Sequence, residues 1–358
     1  MVVGRSTGGT GRHVAHLSEE LRRLGHEVVV VTARLTAERL ALPDALLWWP
    51  LGGDALPWLP RMHRLLSGAD VVHTHGLQAA ALVATSLAAV RHRPRFVVSL
   101  HNAVLGDGAR GWAGTAAEWW VVRAADLVTG ASSDLVARAA RLGARAAELA
   151  PVPSPRVTAL LGRQVPSSDE RSALVATLLP GEPANLPLVL TISRIASQKS
   201  LGVLVSAAGR LATPAVWAVI GDGDRDLLAG LERAAAGTGV RFLGARTDVD
   251  SWLRAATVFV LASAWEARPL VVQEAMAAGT PVVATDVGGL RDLVGDAGVL
   301  VPVASPAGLA SAVDQLLGDP ERLAELSRRG RAQARSWDDG EATARQWMSW
   351  YAPRRELT

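Results

Sequence analysis

The stretch 263–285 constrains the fold more than any other part of this 358-residue chain. A short apolar run at 257–261 precedes it, which is typical of a buried parallel strand. Pro269 suits the first turn of a helix, where its missing N–H costs nothing, and Gly279 ends that helix. A second apolar run follows at 281–285. The pattern predicts a strand, a helix and a strand, the unit from which parallel α/β sheets are built.

Two glutamates belong to this unit. Glu266 follows the first strand, and Glu274 lies one to two turns into the helix. The N–H groups at a helix N-terminus attract anions, and carboxylates accept hydrogen bonds from hydroxyls. An anionic, hydroxyl-rich ligand such as a nucleotide-sugar satisfies both requirements. The alternative is an ordinary strand–helix–strand unit with two solvated glutamates.

The composition is that of a soluble globular protein, with 49% hydrophobic and 20% charged residues in a length that suits two domains. The absence of cysteine excludes disulfides and thiolate metal sites. We expect a cytoplasmic protein, because no apolar segment follows a basic start and the longest weakly polar run, 77–90, is too short to span a bilayer. Arginines scattered among acids, rather than clustered, argue against a nucleic-acid partner.

The N-terminal loop, residues 4–11, reads GRSTGGTG and joins a short strand to a helix. Thr10 stands where a P-loop would have its lysine, and the dinucleotide pattern G-x-G-x-x-G is absent too. Because only three residues precede Gly4, we expect further apolar residues ahead of Met1 to complete the strand.

Histidines end two predicted strands of the first half. His73 and His75 share one face of a strand, which raises the question of a metal, but no third ligand accompanies them and we expect none. His101 follows the strand 95–100, at the edge where open α/β sheets bind ligands. In the helix after it, the spacing of the tryptophans at 112, 119 and 120 predicts core packing rather than sugar stacking.

Two cations begin the second half. Arg194 and Lys199, the only lysine of the chain, lie where a strand meets a helix. Cations are unfavourable at a helix N-terminus unless an anion compensates them, so a phosphate group is expected there; two solvated side chains are the alternative. Asp222 and Asp224 imitate a metal-binding D-x-D pair, but we interpret them as part of a tight turn.

These motifs together resemble the retaining nucleotide-sugar glycosyltransferases of family 4. The resemblance rests on Glu266, seven residues, Glu274 and then A-M-A-x-G-x-P-V-V-A-T, with the Gly-Gly loop, the D-V-V-H-x-H strand at 70–75 and the R-x4-K of 194–199. It implies a GT-B fold, in which two Rossmann-like, doubly wound parallel-sheet domains face a cleft. Residues 1–165 with the C-terminal helix 338–358 would form the acceptor-side domain, and residues 166–337 the domain that binds the nucleotide-sugar.

The resemblance also implies roles for individual residues. Glu274 would hold the ribose, Glu266 and the amides after it the sugar ring, and Arg194 with Lys199 the diphosphate. His101 would lie near the reaction centre. The residues implied to bind the donor are Gly8, Gly9, Arg194, Lys199, Glu266, Leu270 and Glu274, and those implied in catalysis are His101, Glu266, Arg194 and Lys199.

The implied reaction moves a hexose-type sugar from a UDP- or GDP-linked donor to a small-molecule or lipid-linked acceptor, with retention of anomeric configuration and without metal or cofactor. A GT-B sugar-nucleotide epimerase and a non-catalytic nucleotide-sugar-binding protein remain alternatives. Peripheral contact with the inner face of the membrane through Trp58, Arg61 and Arg64 is open as well, beside ordinary amphipathic packing.

The chain departs from the family pattern at two places. Ala267-Arg268-Pro269 replaces the usual G-F-G after the first glutamate, and Arg268 either contacts an acidic sugar or phosphate or points to solvent; we expect solvent. The usual P-N-G motif is replaced by a proline-rich segment at 151–155, so the loop geometry there is expected to differ.

Overall fold

The computed structural model describes residues 1–6, 8–42, 44–47, 59–103, 108–183 and 185–352. The chain divides into two compact units, one comprising Met1–Pro153 with Asp338–Thr358 and the other Ser154–Trp337. Each unit contains one sheet, with seven strands in the first and six in the second, and every strand pair is parallel. The predicted pair of doubly wound parallel-sheet domains is confirmed.

In the first unit, strands and helices alternate along the chain, and the strand order in the sheet is β3-β2-β1-β4-β5-β6-β7. The elements are β1 (Val2–Val3), α1 (Gly9–Arg23), β2 (Val31–Thr32), α2 (Arg34–Arg39), β3 (Leu46–Leu47), α3 (Leu59–Ser67), β4 (Val71–His75), α4 (Leu77–Leu87), β5 (Arg95–Leu100), α5 (Gly108–Ala124), β6 (Leu127–Gly130), α6 (Ser133–Arg141) and β7 (Ala147–Leu149).

In the second unit the strand order is β10-β9-β8-β11-β12-β13. Its elements are α7 (Val157–Leu161), α8 (Ser168–Leu178), β8 (Leu188–Ile192), a 3-10 turn (Ser197–Lys199), α9 (Leu201–Ala208), β9 (Val216–Ile220), α10 (Arg225–Ala234), β10 (Val240–Phe242), α11 (Val249–Ala255), β11 (Val258–Leu261), α12 (Leu270–Ala278), β12 (Val282–Thr285), α13 (Leu290–Val294), β13 (Val299–Val301), α14 (Pro306–Leu317) and α15 (Pro320–Arg335).

The apolar runs of the second sheet are buried on both faces, as parallel strands between helices must be. Along β8, Leu188 and Leu190 pack into one apolar cluster, while Val189 between them packs into another. The same alternation along β11 puts Phe259 in the first cluster and Val260 in the second. The continuous hydrophobic run in the sequence therefore reflects two cores, one on each side of the sheet.

The last helix, α16 (Gly340–Tyr351), belongs to the first unit although it follows the second in sequence. Trp347 lies in a buried cluster with Leu17 and Leu21 of α1 and with Val97 and Leu127 of the sheet. The predicted return of the C-terminal helix to the N-terminal domain is confirmed.

Several local predictions differ from the structure. The units divide between Pro153 and Ser154, whereas the sequence analysis puts the boundary after residue 165. The segment 154–165 stays with the second unit because Arg331 of α15 donates hydrogen bonds to the carbonyls of Leu161 (2.7 Å) and Arg163 (3.0 Å). The predicted core packing of the α5 tryptophans is wrong, because Trp112 is 81% exposed and the other two, Trp119 and Trp120, are exposed as well.

Replacing Trp347 with alanine should destabilise the first unit by about 3–5 kcal/mol, because a side chain only 2% exposed would leave a large cavity. The exposed Trp112 offers a matched control, and Trp112→Ala should change stability by no more than about 0.5 kcal/mol. Urea unfolding followed by circular dichroism measures both. Equal effects of the two substitutions would contradict the packing of α16 described above.

Candidate active site

The chain order of the second sheet reverses between β8 and β11, which are hydrogen-bonded neighbours. Ligands of open α/β sheets bind at such a switch point, outside the carboxyl ends of the strands. Arg194 and Lys199 follow β8, and Glu266 follows β11, so the sheet brings the predicted donor-binding loops to this one edge.

Lys199 and Glu266 form an ion pair at this edge, in which Lys199 Nζ donates to Glu266 Oε1. The same oxygen accepts a hydrogen bond of 2.6 Å from Ser263 Oγ. Glu266 is only 7% exposed, and the Lys199 side chain is mostly buried as well. A buried carboxylate needs a paired cation and hydrogen bonds, and both are supplied here. Ser263 is a site residue that the sequence analysis missed.

Backbone and amide hydrogen bonds hold the two loops together. Ala264 N donates to the carbonyl of Gln198 at 2.8 Å, and Gln198 Nε2 donates to the carbonyl of Trp265 at 2.8 Å. Lys199 therefore comes from a 3-10 turn that is fixed to the loop carrying its partner Glu266.

A glycine loop after β12 supports Glu266 from the other side. Gly289 N donates to the carbonyl of Glu266 at 2.9 Å. Gly288 has a φ of +52°, and a Cβ there would lie 2.0 Å from that same carbonyl oxygen. Only glycine fits this position. The Gly-Gly pair at 288–289 was visible in the sequence, but its role depends on a contact between distant loops.

Glu274 lies in α12 and is 4% exposed. Its Oε1 accepts a hydrogen bond of 2.7 Å from Ser154 Oγ, and its Oε2 lies 3.9 Å from an Arg156 guanidinium nitrogen. Arg156 lies at 3.8 Å from Asp250 as well. Ser154 and Arg156 were not predicted from the sequence; Ser154 lies in the proline-rich segment and Arg156 directly after it, more than a hundred residues from Glu274.

The helix α12 begins at Leu270, and its N-cap residue Pro269 makes no side-chain cap. Val272 N and Gln273 N already donate to the carbonyl of Pro269, so within the described residues the N–H groups of Leu270 and Val271 are those at the helix start to which a ligand can supply the acceptor. Gly279 ends the helix in the left-handed conformation, as predicted. The helix thus has an uncapped, positively polarised start one residue after the loop of Glu266.

Arg194 is exposed, and it has no ion pair within the described part of the chain. The tight turn at 221–223 packs against its loop, because Ile195 N donates to the carbonyl of Asp222 at 2.8 Å. Asp224 Oδ1 accepts from Asp226 N and Leu227 N and so caps α10. The second aspartate of the D-x-D pattern is therefore a helix cap, and the pair lies in a turn.

The expectation that Arg268 points to solvent is wrong. Its guanidinium lies over the ring of Trp337, 5.3 Å from the centroid, and its Nε is buried without a hydrogen-bond partner among the described residues. Burial lowers the pKa of Arg268 to about 10, while Asp292 acts in the opposite direction. The arginine that replaces the phenylalanine of the usual G-F-G therefore packs its side chain against Trp337 rather than extending into solvent.

In the first unit, Gly8 caps the N-terminus of α1, and Gly9 is its first residue. A Cβ at Gly8 would meet nothing within 4 Å, so this loop is open on its outer side. Gly11 has the opposite role, since a Cβ there would lie 2.4 Å from the carbonyl oxygen of Ser6. Gly8 thus leaves room for a ligand to approach, and the third glycine, Gly11, is needed for the close contact with Ser6.

His101 directly follows β5 and belongs to a cluster of four histidines. Its Nε2 shares a hydrogen bond of 3.1 Å with His75 Nδ1, and its ring lies 5.8 Å from that of His13. The rings of His73 and His75 are tilted by 37° with their centroids 4.0 Å apart, and His73 shares a hydrogen bond of 2.7 Å with the hydroxyl of Tyr351. The sequence analysis found three of these histidines; His13 was missed because it lies on α1.

Burial keeps these rings neutral. Desolvation lowers the pKa of His101 to about 4 and that of His13 to about 3, where His101 and His16 add a smaller effect. The pKa values of His73 and His75 also fall well below the usual range, first through burial and then through the neighbouring rings. At neutral pH His101 can therefore donate or accept a hydrogen bond, but it carries no charge.

Within the described residues, no group of three or more His, Asp or Glu side chains is arranged to hold a metal ion. Metal-independent chemistry stays a prediction. No helix in the described part of the chain is long and apolar enough to cross a bilayer. Of the proposed membrane patch, Trp58 and the side chain of Arg61 lie outside the described residues.

Two family sequence profiles match this chain. One, described as glycosyl transferases group 1, covers residues 186–319, and the other, a glycosyl transferase 4-like domain, covers residues 8–155. The first profile covers the predicted donor-site residues of the second unit, and the second profile covers the histidine cluster of the first unit.

Curated relatives align over nearly the whole chain. A D-inositol 3-phosphate glycosyltransferase from Xylanimonas cellulosilytica is 32% identical over 94% of this chain and 90% of the relative. An alpha-maltose-1-phosphate synthase from Mycobacterium tuberculosis is 31% identical over 92% of each.

Among solved structures, HepE from Anabaena in complex with UDP-glucose has the same fold, with a TM-score of 0.81 and 22% identity over 98% of each chain. The predicted GT-B architecture is therefore confirmed. The chain belongs to the group 1, family 4 glycosyltransferases.

Proposed function

We propose that this glycosyltransferase takes a hexose-type sugar from a nucleotide-sugar and moves it to a hydroxyl group with retention of anomeric configuration. The donor is UDP- or GDP-linked, and the acceptor is a small molecule or a lipid-linked one. The single observation that carries the proposal is the buried pair of Lys199 and Glu266, beside an uncapped helix start at the carboxyl edge of the second sheet.

The chemistry of that edge suits a diphosphate donor. As the bond between the sugar and the diphosphate breaks, negative charge accumulates on the leaving phosphate, and fixed positive groups stabilise it. Arg194 is exposed and unpaired within the described residues, so it can close on the phosphate without first breaking an ion pair. Lys199 is held by Glu266 and adds a compact charge at a fixed position.

Glu266 and Glu274 have complementary tasks in this proposal. Glu266 already uses Oε1 for Lys199 and Ser263, which leaves Oε2 to accept a hydrogen bond from a sugar hydroxyl. Glu274 would accept hydrogen bonds from the ribose hydroxyls, with Ser154 fixing its orientation. Both are supported by position within the family motif and by their burial.

The relatives support a nucleotide-sugar donor. The HepE structure is a complex with UDP-glucose, and two further structures of the same protein contain UDP and UDP with glucose. The family relatives differ in the acceptor or product that their names give, a D-inositol 3-phosphate in one and a maltose 1-phosphate in another. The donor class is thus the better supported half of the proposal.

Retention requires the new bond to form on the same face of the anomeric carbon from which the leaving group departs. The acceptor oxygen bonds to the anomeric carbon on the face that the diphosphate leaves, and the acceptor proton passes to the departing phosphate oxygen. No separate carboxylate base is then required. His101, neutral at pH 7, would position the sugar or the acceptor by hydrogen bonding, which fits its lowered pKa.

The proposal is tested with UDP-, GDP- and ADP-sugars and a panel of hydroxyl acceptors, in buffer with excess EDTA. We expect free nucleotide to form in step with a glycosylated product whose anomeric configuration, measured by NMR, equals that of the donor. Nucleotide release or epimerisation without an acceptor would support the epimerase alternative. Activity that EDTA abolishes and Mn²⁺ or Mg²⁺ restores would contradict metal independence.

The substitution Glu274→Gln should weaken binding of the nucleotide and the nucleotide-sugar to the same degree, because both contain the ribose. We expect a loss on the order of 1.5–3 kcal/mol, the scale of a hydrogen bond to a charged group, measured by calorimetric titration. Glu232→Gln on the exposed face of α10 is the matched control and should bind like the parent. A folded Glu274→Gln protein with unchanged affinity would exclude the ribose role.

A further inference from the structure

A cavity of about 960 Å³ lies in the second unit at the edge opposite the candidate active site. Leu188 at the start of β8, Thr257 before β11 and Pro281 before β12 line it. These are the amino ends of the strands whose carboxyl ends carry the donor-binding loops. A strand of four or five residues spans roughly 13–16 Å, so the two sites are separate.

Four arginines line this cavity: Arg171 from α8 and Arg328, Arg331 and Arg335 from α15. None of the described residues that line it is acidic. The acid nearest to Arg328 along α15 is Glu325, which forms ion pairs with Arg322 and, at 2.6 Å, with Arg329. The cavity therefore contains four positive charges without a carboxylate on its wall.

Within the described residues, the guanidinium groups of the two inner arginines, Arg171 and Arg331, donate hydrogen bonds only to backbone carbonyl groups. Arg331 is 9% exposed and donates to the carbonyls of Ala277 (2.8 Å), Leu161 and Arg163. Arg171 donates to the carbonyl of Ala256. These carbonyls lie at or just beyond the C-terminal ends of helices, whose partial negative charge offsets only part of a full positive one. Both guanidinium groups stay ionised at neutral pH.

The two outer arginines are compensated only weakly, through the attraction between Arg328 and Glu325. Arg328 and Arg335 are exposed, and neither has an ion pair within the described residues. Arg335 lies one helical turn from Arg331 and contributes to the lowered pKa of that residue, after burial. Like charges at this spacing repel each other. An anion in the cavity would reduce this repulsion. Hydrogen bonding to helix C-termini accounts for the positions of Arg171 and Arg331, but not for those of Arg328 and Arg335.

The rest of the wall suits an organic anion better than a bare ion. Ser172, Ser327 and Asn185 add hydrogen-bonding groups, while Val165, Pro166 and Leu323 provide apolar surface. The volume is in the range of small-molecule sites, which are mostly apolar with a few convergent polar groups. Guanidinium groups bind phosphate oxygens in pairs of parallel hydrogen bonds, and several of them match a phosphate better than a single carboxylate.

We propose that this arginine-lined cavity binds a phosphate ester, at a site separate from the one that binds the sugar donor. The phosphate contacts the arginines of α15, and the organic part lies against the proline and leucine wall between α8 and α15. The occupant would stabilise the packing of α15, which hydrogen-bonds the segment at the start of the second unit.

Calorimetric titration of sodium pyrophosphate at constant ionic strength tests the proposal, with four proteins compared. Arg328→Gln/Arg335→Gln removes the exposed pair, and Arg210→Gln removes an exposed arginine of the same unit outside the cavity. Lys199→Met removes a cation of the donor site. The melting temperatures without phosphate should agree between the double variant and the Arg210 control, since all three side chains are exposed.

We expect saturable binding that survives in Lys199→Met and in Arg210→Gln and falls at least tenfold in the double variant. Loss of all binding in Lys199→Met, with parental affinity in the double variant, would assign the anion to the donor site and overturn the proposal. No saturable binding in any protein, including to vesicles, would overturn it as well.

A parallel arm uses vesicles of phosphatidylcholine with and without phosphatidic acid. Cosedimentation that needs the phosphatidic acid and both exposed arginines would identify the phosphate ester as a lipid headgroup. Binding of pyrophosphate without vesicle binding would identify it as a soluble metabolite. Because transfer activity enters none of these measurements, failure of this proposal and failure of the proposed function are distinguishable.

Discussion

The ion pair of Lys199 and Glu266 is the interaction on which the candidate active site depends. Removing both charges from water is costly, and their attraction offsets that cost only when the geometry is good and the remaining oxygens are hydrogen-bonded. Ser263 adds a hydrogen bond to the oxygen that pairs with Lys199, and Gly289 holds the backbone carbonyl of Glu266. Because these contacts hold the loops to each other, we expect little of the donor's binding energy to be needed for ordering them.

The first unit contains a buried cluster of histidines, whose charge state is restricted by their burial. Four histidine rings share a small buried volume, and they can do so only as neutral groups. Tyr351 and Ser99 fix the ring of His73, each through a hydrogen bond of 2.7 Å, and the helix α16 covers that side. His101, at the end of this chain of contacts, is therefore a neutral hydrogen-bonding group. Below about pH 6.5 the histidines become protonated in the unfolded chain, while those in the folded protein stay neutral. Protons therefore bind the unfolded state preferentially, and the free energy of unfolding should decrease as the pH is lowered below about 6.5.

Much of the second unit could be predicted from the sequence, because its signals are local. Apolar runs give the strands, and Gly279 and Pro269 bound α12 as helix-end preferences require. The support of the two glutamates could not be predicted in the same way. Ser154 contacts Glu274, and Gly288 packs against the carbonyl of Glu266, although each pair is distant in sequence. The hydrophobic periodicity of a sequence does not predict such contacts. The errors at Trp112 and Arg268 have a related cause: residue type and spacing predict average burial, but neighbouring elements decide it.

A double-mutant cycle between Lys199 and Glu266 tests the central claim most directly. Lys199→Met, Glu266→Gln and the double variant are compared with the parent by their free energies of unfolding in urea, without donor. The account predicts a coupling energy of at least about 1 kcal/mol, with Lys199→Met alone more destabilised than the double variant, because it leaves a buried carboxylate unpaired. Additive effects of the two substitutions would show that the pair is not the interaction that organises this site.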